Sequence, residues 1–119
     1  MAFTDYIKDQ GLVGAMMLTG LNPDGTKIPA ATTITHGQKD VTTAGTQVAL
    51  GSATVLANGI WIKAKVGNSG VIYVGGSTVS SVTGYILAAG EEVFVEVGSL
   101  ATIYIDSAVD GEGVSYIGS

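Results

Sequence analysis

The sequence predicts an all-β protein, an antiparallel β-sandwich, and three observations carry that prediction. Short β-branched and aromatic runs recur at residues 71–74, 85–87, 92–97, 101–105 and 114–117. Turn residues separate them: Gly75-Gly76-Ser77, Ala89-Gly90, Gly98-Ser99 and Asp110-Gly111. No stretch holds a strong helical period. Strands at roughly 8–12-residue spacing with turn signals between them argue for a sandwich or a barrel. A jelly-roll-like arrangement is the first expectation and an immunoglobulin-like order the second, although the Cys-Trp-Cys signature of the latter is missing.

Taken in order, residues 1–35 differ in texture from the rest and are expected to form an N-terminal arm or docking segment. Thr4 can cap a short helix, with Asp5 in its first turn and Phe3 stapled against Ile7. Gly11 and Gly14 weaken its continuation. Asn22-Pro23-Asp24-Gly25 is a turn signal, and Pro29 favours an edge or an arm over a central strand. An ordinary first hairpin is the alternative. An arm seated on a neighbouring subunit accounts better for Met16, Met17 and Leu18, which are too apolar for a free tail.

Residues 36–119 are expected to form the sandwich domain. Its first runs are 41–43 and 46–50, with Val48 and Leu50 on one face. Asn58-Gly59 reads as a two-residue hairpin turn. Residues 60–66 give the cleanest alternation, with Ile60, Ile62, Ala64 and Val66 inward and Trp61, Lys63 and Lys65 outward. Residues 92–97 complement it, with Val93, Val95 and Val97 inward and Glu92, Phe94 and Glu96 outward. Pairing these two strands would set Trp61 near Phe94 and lysines near glutamates. In the run 101–105, Ala101, Ile103 and Ile105 are expected inward and Thr102 and Tyr104 outward.

The 119 residues suffice for one domain with a real core, and there is no cysteine for disulfide or thiolate chemistry. Charged residues are only 13% against a hydrophobic fraction of 46%, so apolar side chains must remain at the surface, where a partner commonly covers them. The net charge is −5 with no arginine, which argues against nucleic-acid binding. All five lysines precede residue 66, and six of the ten acids follow it. The N-terminus lacks the basic region of a secretory signal, and no apolar run is long enough to span a bilayer. An intracellular, soluble product with no membrane partner is therefore expected.

No catalytic residue, cofactor or metal site is expected, and the chain reads as a non-enzyme. His36 is the only histidine, placed in a turn region, and a metal centre on a jelly roll needs several. No nucleophile elbow is present. Asp106, Asp110 and Glu112 read as a solvated acidic turn, with a calcium site as the alternative. Glu91 and Glu92 are adjacent on a strand, point to opposite faces and cannot flank one glycosidic bond. Trp61, Tyr73, Tyr85 and Tyr104 either pack at core or subunit interfaces or form a platform for a sugar.

Residues 41–50 (VTTAGTQVAL) and 68–75 (NSGVIYVG), followed by 85–91 (YILAAGE), 103–107 (IYIDS) and 111–114 (GEGV), resemble in their order the small virion structural proteins of tailed bacteriophages. The resemblance covers residues 41–117 and leaves 1–35 outside. It implies a head decoration, cement or head-fibre subunit: a β-sandwich in a trimeric homo-oligomer. Such a protein is made in the host cytoplasm and sits on the capsid exterior, with the major capsid protein as its partner. Its interface is expected to draw on Met16, Met17, Leu18, Trp61, Tyr73 and Tyr104. The alternative is a fibre or spike module that binds a host-surface glycan; a small hydrolase is the third reading.

Overall fold

A computed structural model describes residues 33–119. Residues 1–32 of the expected arm, with Met16, Met17 and Leu18, lie outside the described residues, and Thr35 at its end already belongs to the first strand. Eight strands follow in order: β1 (Thr35–Asp40), β2 (Val48–Ala49), β3 (Ile60–Ala64), β4 (Ile72–Gly75), β5 (Tyr85–Leu87), β6 (Glu92–Val95), β7 (Tyr104–Ser107) and β8 (Gly113–Gly118). They form two four-stranded antiparallel sheets, sheet I in the order β1-β8-β3-β6 and sheet II in the order β2-β7-β4-β5. The all-β sandwich expected from the sequence is what the chain adopts.

The pairing is nested. β1 pairs with β8, β2 with β7, β3 with β6 and β4 with β5. Two further pairings, β3 with β8 and β4 with β7, close the two sheets. All connections except β4–β5 pass from one sheet to the other.

The core lies between the inner faces. Ile60, Ile62 and Ala64 of β3, Ile72 of β4, Ile105 of β7 and Val114 of β8 are all at 0% exposure. The β-branched side chains among them, four isoleucines and Val114, are stiff and suit the pleated backbone. Full burial of each isoleucine contributes about 1.5–3 kcal/mol. The expected β3–β6 pairing forms, with Ile60 opposite Val95, Trp61 opposite Phe94, Ile62 opposite Val93 and Lys63 opposite Glu92.

Four expectations fail for identifiable reasons. Asn58-Gly59 makes no hairpin, because the strands flanking it belong to different sheets. Both N–H groups donate to the Ser119 carbonyl, at 2.7 and 3.1 Å, and tie the entry of β3 to the end of β8. Val66 does not face the core but stands 77% exposed. A turn in which the Asn68 N–H donates to the Lys65 carbonyl at 3.0 Å has already ended the strand. The run 101–105 is only half strand: Leu100–Thr102 is a 3-10 turn, capped by Ser99, whose hydroxyl accepts from the Ala101 N–H at 3.2 Å. His36 belongs to β1, not to a turn. The segment hides its strand character because its inner face carries Gly37, where the phenol of Tyr116 fills the space a side chain would take.

Candidate functional site

The outer face of sheet I is built in transverse rows, because opposed residues of neighbouring strands share a face. The first row runs His36 (β1), Ile117 (β8), Trp61 (β3) and Phe94 (β6). Ile117 is 53% exposed, Trp61 46% and Phe94 41%. Trp61 and Phe94 lie with ring centroids 5.2 Å apart and planes tilted by 58°, an edge-inclined contact favoured by the ring quadrupoles. The second row runs Gln38, Ser115, Lys63 and Glu92. Beyond it Asp40 and Lys65 stand on either side of Gly113, and their side chains meet at 2.6 Å.

Small residues on β8 between long ones on β1 and β3 leave a trough. Ser115 is its floor. His36 and Gln38 form one wall, Trp61 and Lys63 the other, and Ile117 closes one end. The volume is about 330 Å³. A smaller continuation of about 250 Å³ runs past Lys63 and Lys65. The lining offers donors from Gln38 and Lys63 and acceptors from Gln38, Ser115 and Glu92.

A second concavity opens on the side of the sandwich where β5 and β6 are the edge strands. Its volume is about 410 Å³, and Val74, Tyr85, Val93, Val95, Val97 and Ile103 give it an apolar lining. Tyr85 is 61% exposed, and Ile86 and Val82 beside it are 56% and 89% exposed.

The structure divides the aromatic residues that sequence reasoning grouped. Trp61 is on the outer face of sheet I. Tyr73 and Tyr104 belong to β4 and β7 of sheet II, where they alternate with buried Ile72, Val74 and Ile105 and are themselves half-buried. The loop after β4 packs against Tyr73, and only a glycine at position 84 fits against that residue's Cβ. No single platform contains Trp61, Tyr73, Tyr85 and Tyr104; of the described residues in the expected interface set, Trp61 lies on sheet I and Tyr73 and Tyr104 on sheet II. Gln38 and Ser115 were not anticipated.

The acidic stretch is likewise not a solvated turn. Asp106 is 2% exposed. Its Oδ1 accepts from the Gly45 N–H at 2.9 Å and the Ser107 N–H at 2.8 Å. Asp110 Oδ1 accepts from the Ala44 N–H at 2.7 Å. Glu112 accepts from the N–H groups of Ser69 and Gly70 and from the Ser69 hydroxyl. Those backbone donors, Ser69 first, hold its carboxyl below the ordinary value of 4.5. The three carboxylates thus fasten loops to β7 and β8. Among the described residues no group of three His, Cys, Asp or Glu could hold a metal ion. No helix among them is long and apolar enough to cross a membrane.

The chain matches no family model, no curated protein and no solved structure.

Proposed function

We propose that the chain is a virion structural protein of a tailed bacteriophage that decorates or cements the head shell by surface contact, without bond chemistry. The observation that carries the reading is the β5–β6 side of the sandwich, where an apolar cleft of about 410 Å³ opens beside Tyr85, while Ile86 on the opposite face of β5 and Val82 in the preceding loop are also exposed. Large apolar groups grouped at two sheet edges suit a site that a neighbouring subunit covers. Each 100 Å² of apolar surface removed from water contributes about 2.5 kcal/mol before the costs of association. Repetition over a shell adds avidity. The nested strand pairing supports a jelly-roll arrangement of the sandwich. The resemblance supports a trimeric unit on the capsid exterior with the major capsid protein as partner.

Co-sedimentation of the purified protein with phage heads tests this. Saturable binding that weakens in a Val82→Ser, Tyr85→Ser double variant is expected. A monomer with no affinity for heads overturns the reading.

A second reading, a fibre or spike module that holds a host-surface glycan, is favoured by one observation: Trp61, 46% exposed, stands in the wall of a trough lined with hydrogen-bonding side chains.

A further inference from the structure

We infer that the trough on the outer face of sheet I is a subsite for one neutral pyranose residue, stacked on Trp61 and hydrogen-bonded by Gln38, Ser115, Lys63 and Glu92. The inference rests on the glycan reading and is independent of shell binding.

The geometry supplies the two chemistries that a sugar needs. A pyranose with mainly equatorial hydroxyls has a face of C–H bonds and a rim of hydroxyl groups. The C–H face packs on the electron-rich face of an aromatic ring. Trp61 offers such a ring, and neighbours steady it: Phe94 lies 5.2 Å away on one side and Ile117 is directly opposite on the other. The rim needs mixed donors and acceptors in a row beside the ring. The second row of the sheet provides them, one side-chain repeat along the strands, at about 6.6 Å. A single pyranose with its hydroxyls spans that distance.

The width agrees as well. The two walls are β1 and β3 side chains on either side of β8, two strand spacings or about 9.6 Å apart. Ser115 between them is short enough to leave the space open and polar enough to bond to what enters. A volume of about 330 Å³ falls at the small end of ligand pockets, which suits one or two sugar rings.

Charge selects among sugars. Lys63 and Glu92 are opposite each other in register, and Asp40 and Lys65 neutralise each other at 2.6 Å. The trough therefore carries balanced charge. A sugar carboxylate, sulfate or phosphate drawn to Lys63 would be repelled by Glu92 opposite it, so neutral sugars are favoured.

Trp61 is the only tryptophan in the chain, so its fluorescence reports on this site alone. The experiment titrates the full chain with methyl β-galactopyranoside, methyl β-glucopyranoside, N-acetylglucosamine and, as an acidic control, glucuronic acid. A saturable change in emission with at least one neutral sugar, and a weaker one with the acid, is expected. Ser115→Phe fills the trough while leaving Trp61 and the core in place. That variant should weaken binding about tenfold or more, equivalent to 1.4 kcal/mol, with an unchanged urea midpoint. Gln38→Leu, at an exposed edge position, should weaken it as well. No saturable change with any neutral sugar overturns the inference, as does binding that Ser115→Phe leaves intact. Loss of head binding in Ser115→Phe without any sugar response overturns it too, and would mark the trough as a protein contact.

Discussion

Lys65 Nζ reaches Asp40 Oδ1 at 2.6 Å by crossing Gly113, the β8 residue that separates their two strands. The glycine permits the contact, because a Cβ there would meet the Lys39 carbonyl oxygen and Asp40 itself. The ion pair is exposed, at 30% for Lys65 and 51% for Asp40. Asp40→Asn should therefore cost only about 0.2–1 kcal/mol, less in high salt. Gly113→Ala should cost more, about 1–3 kcal/mol, because backbone must move. Urea midpoints of the two variants give the order; equal stability would refute the crossing.

Position decides the effect of shortening a side chain on β3. Ile62 is at 0% exposure and Trp61 is 46% exposed. Ile62→Ala should lose about 2–5 kcal/mol from burial and the cavity left behind. The larger truncation, Trp61→Ala, should lose only about 0.5–1.5 kcal/mol, the worth of its aromatic pair with Phe94. A greater loss at Trp61 than at Ile62 in denaturant melts would contradict the assignment of the two faces.

The Trp61–Phe94 contact itself can be isolated. A double-mutant cycle through Trp61→Ala and Phe94→Ala should give a coupling of about 0.5–1.5 kcal/mol at the observed tilt. Strict additivity of the two changes would mean that the rings do not interact in solution.

Glu112 makes stability depend on acid. Its folded carboxyl titrates below the ordinary value of 4.5 because backbone N–H groups of Ser69 and Gly70 favour the charged form. The unfolded chain thus takes up the proton first as pH falls. The contribution is fully present above about pH 4.5 and is lost as pH drops through the lower folded value. In Glu112→Gln the fall in urea midpoint between pH 5 and pH 2 should be shallower than in the parent. An identical pH profile would show that the clamp is not held by charge.

Strands buried on one face by stiff β-branched residues were legible: the inward and outward faces of β3 and β6, the outward position of Trp61 and its approach to Phe94 were expected from alternation. β1 was not, since its inner face borrows Tyr116 from β8 and shows no apolar period of its own. Asn58-Gly59 misleads for a related reason: the same dipeptide that turns a hairpin also suits a backbone entering a strand under another chain segment. The trough was only partly legible. Trp61 announces itself as the single tryptophan on an outward position, but Ser115 matters through what flanks it, and that is a property of strand order. The acidic stretch was misread because local sequence counts carboxylates and does not show the loops they tie down.

The first strand of the sandwich closes on its last, with Thr35 opposite Gly118. On a ribosome, β1 emerges well before β8 and must wait for it. A nascent chain lacking residues 113–118 leaves β1 and β3 with open edges, the condition under which strands recruit strangers. Such long-range closure belongs to slow folders. The β4–β5 pairing joins the paired strands nearest in sequence and closes the shortest loop, whereas β8 pairs with β1 across the widest separation in the fold.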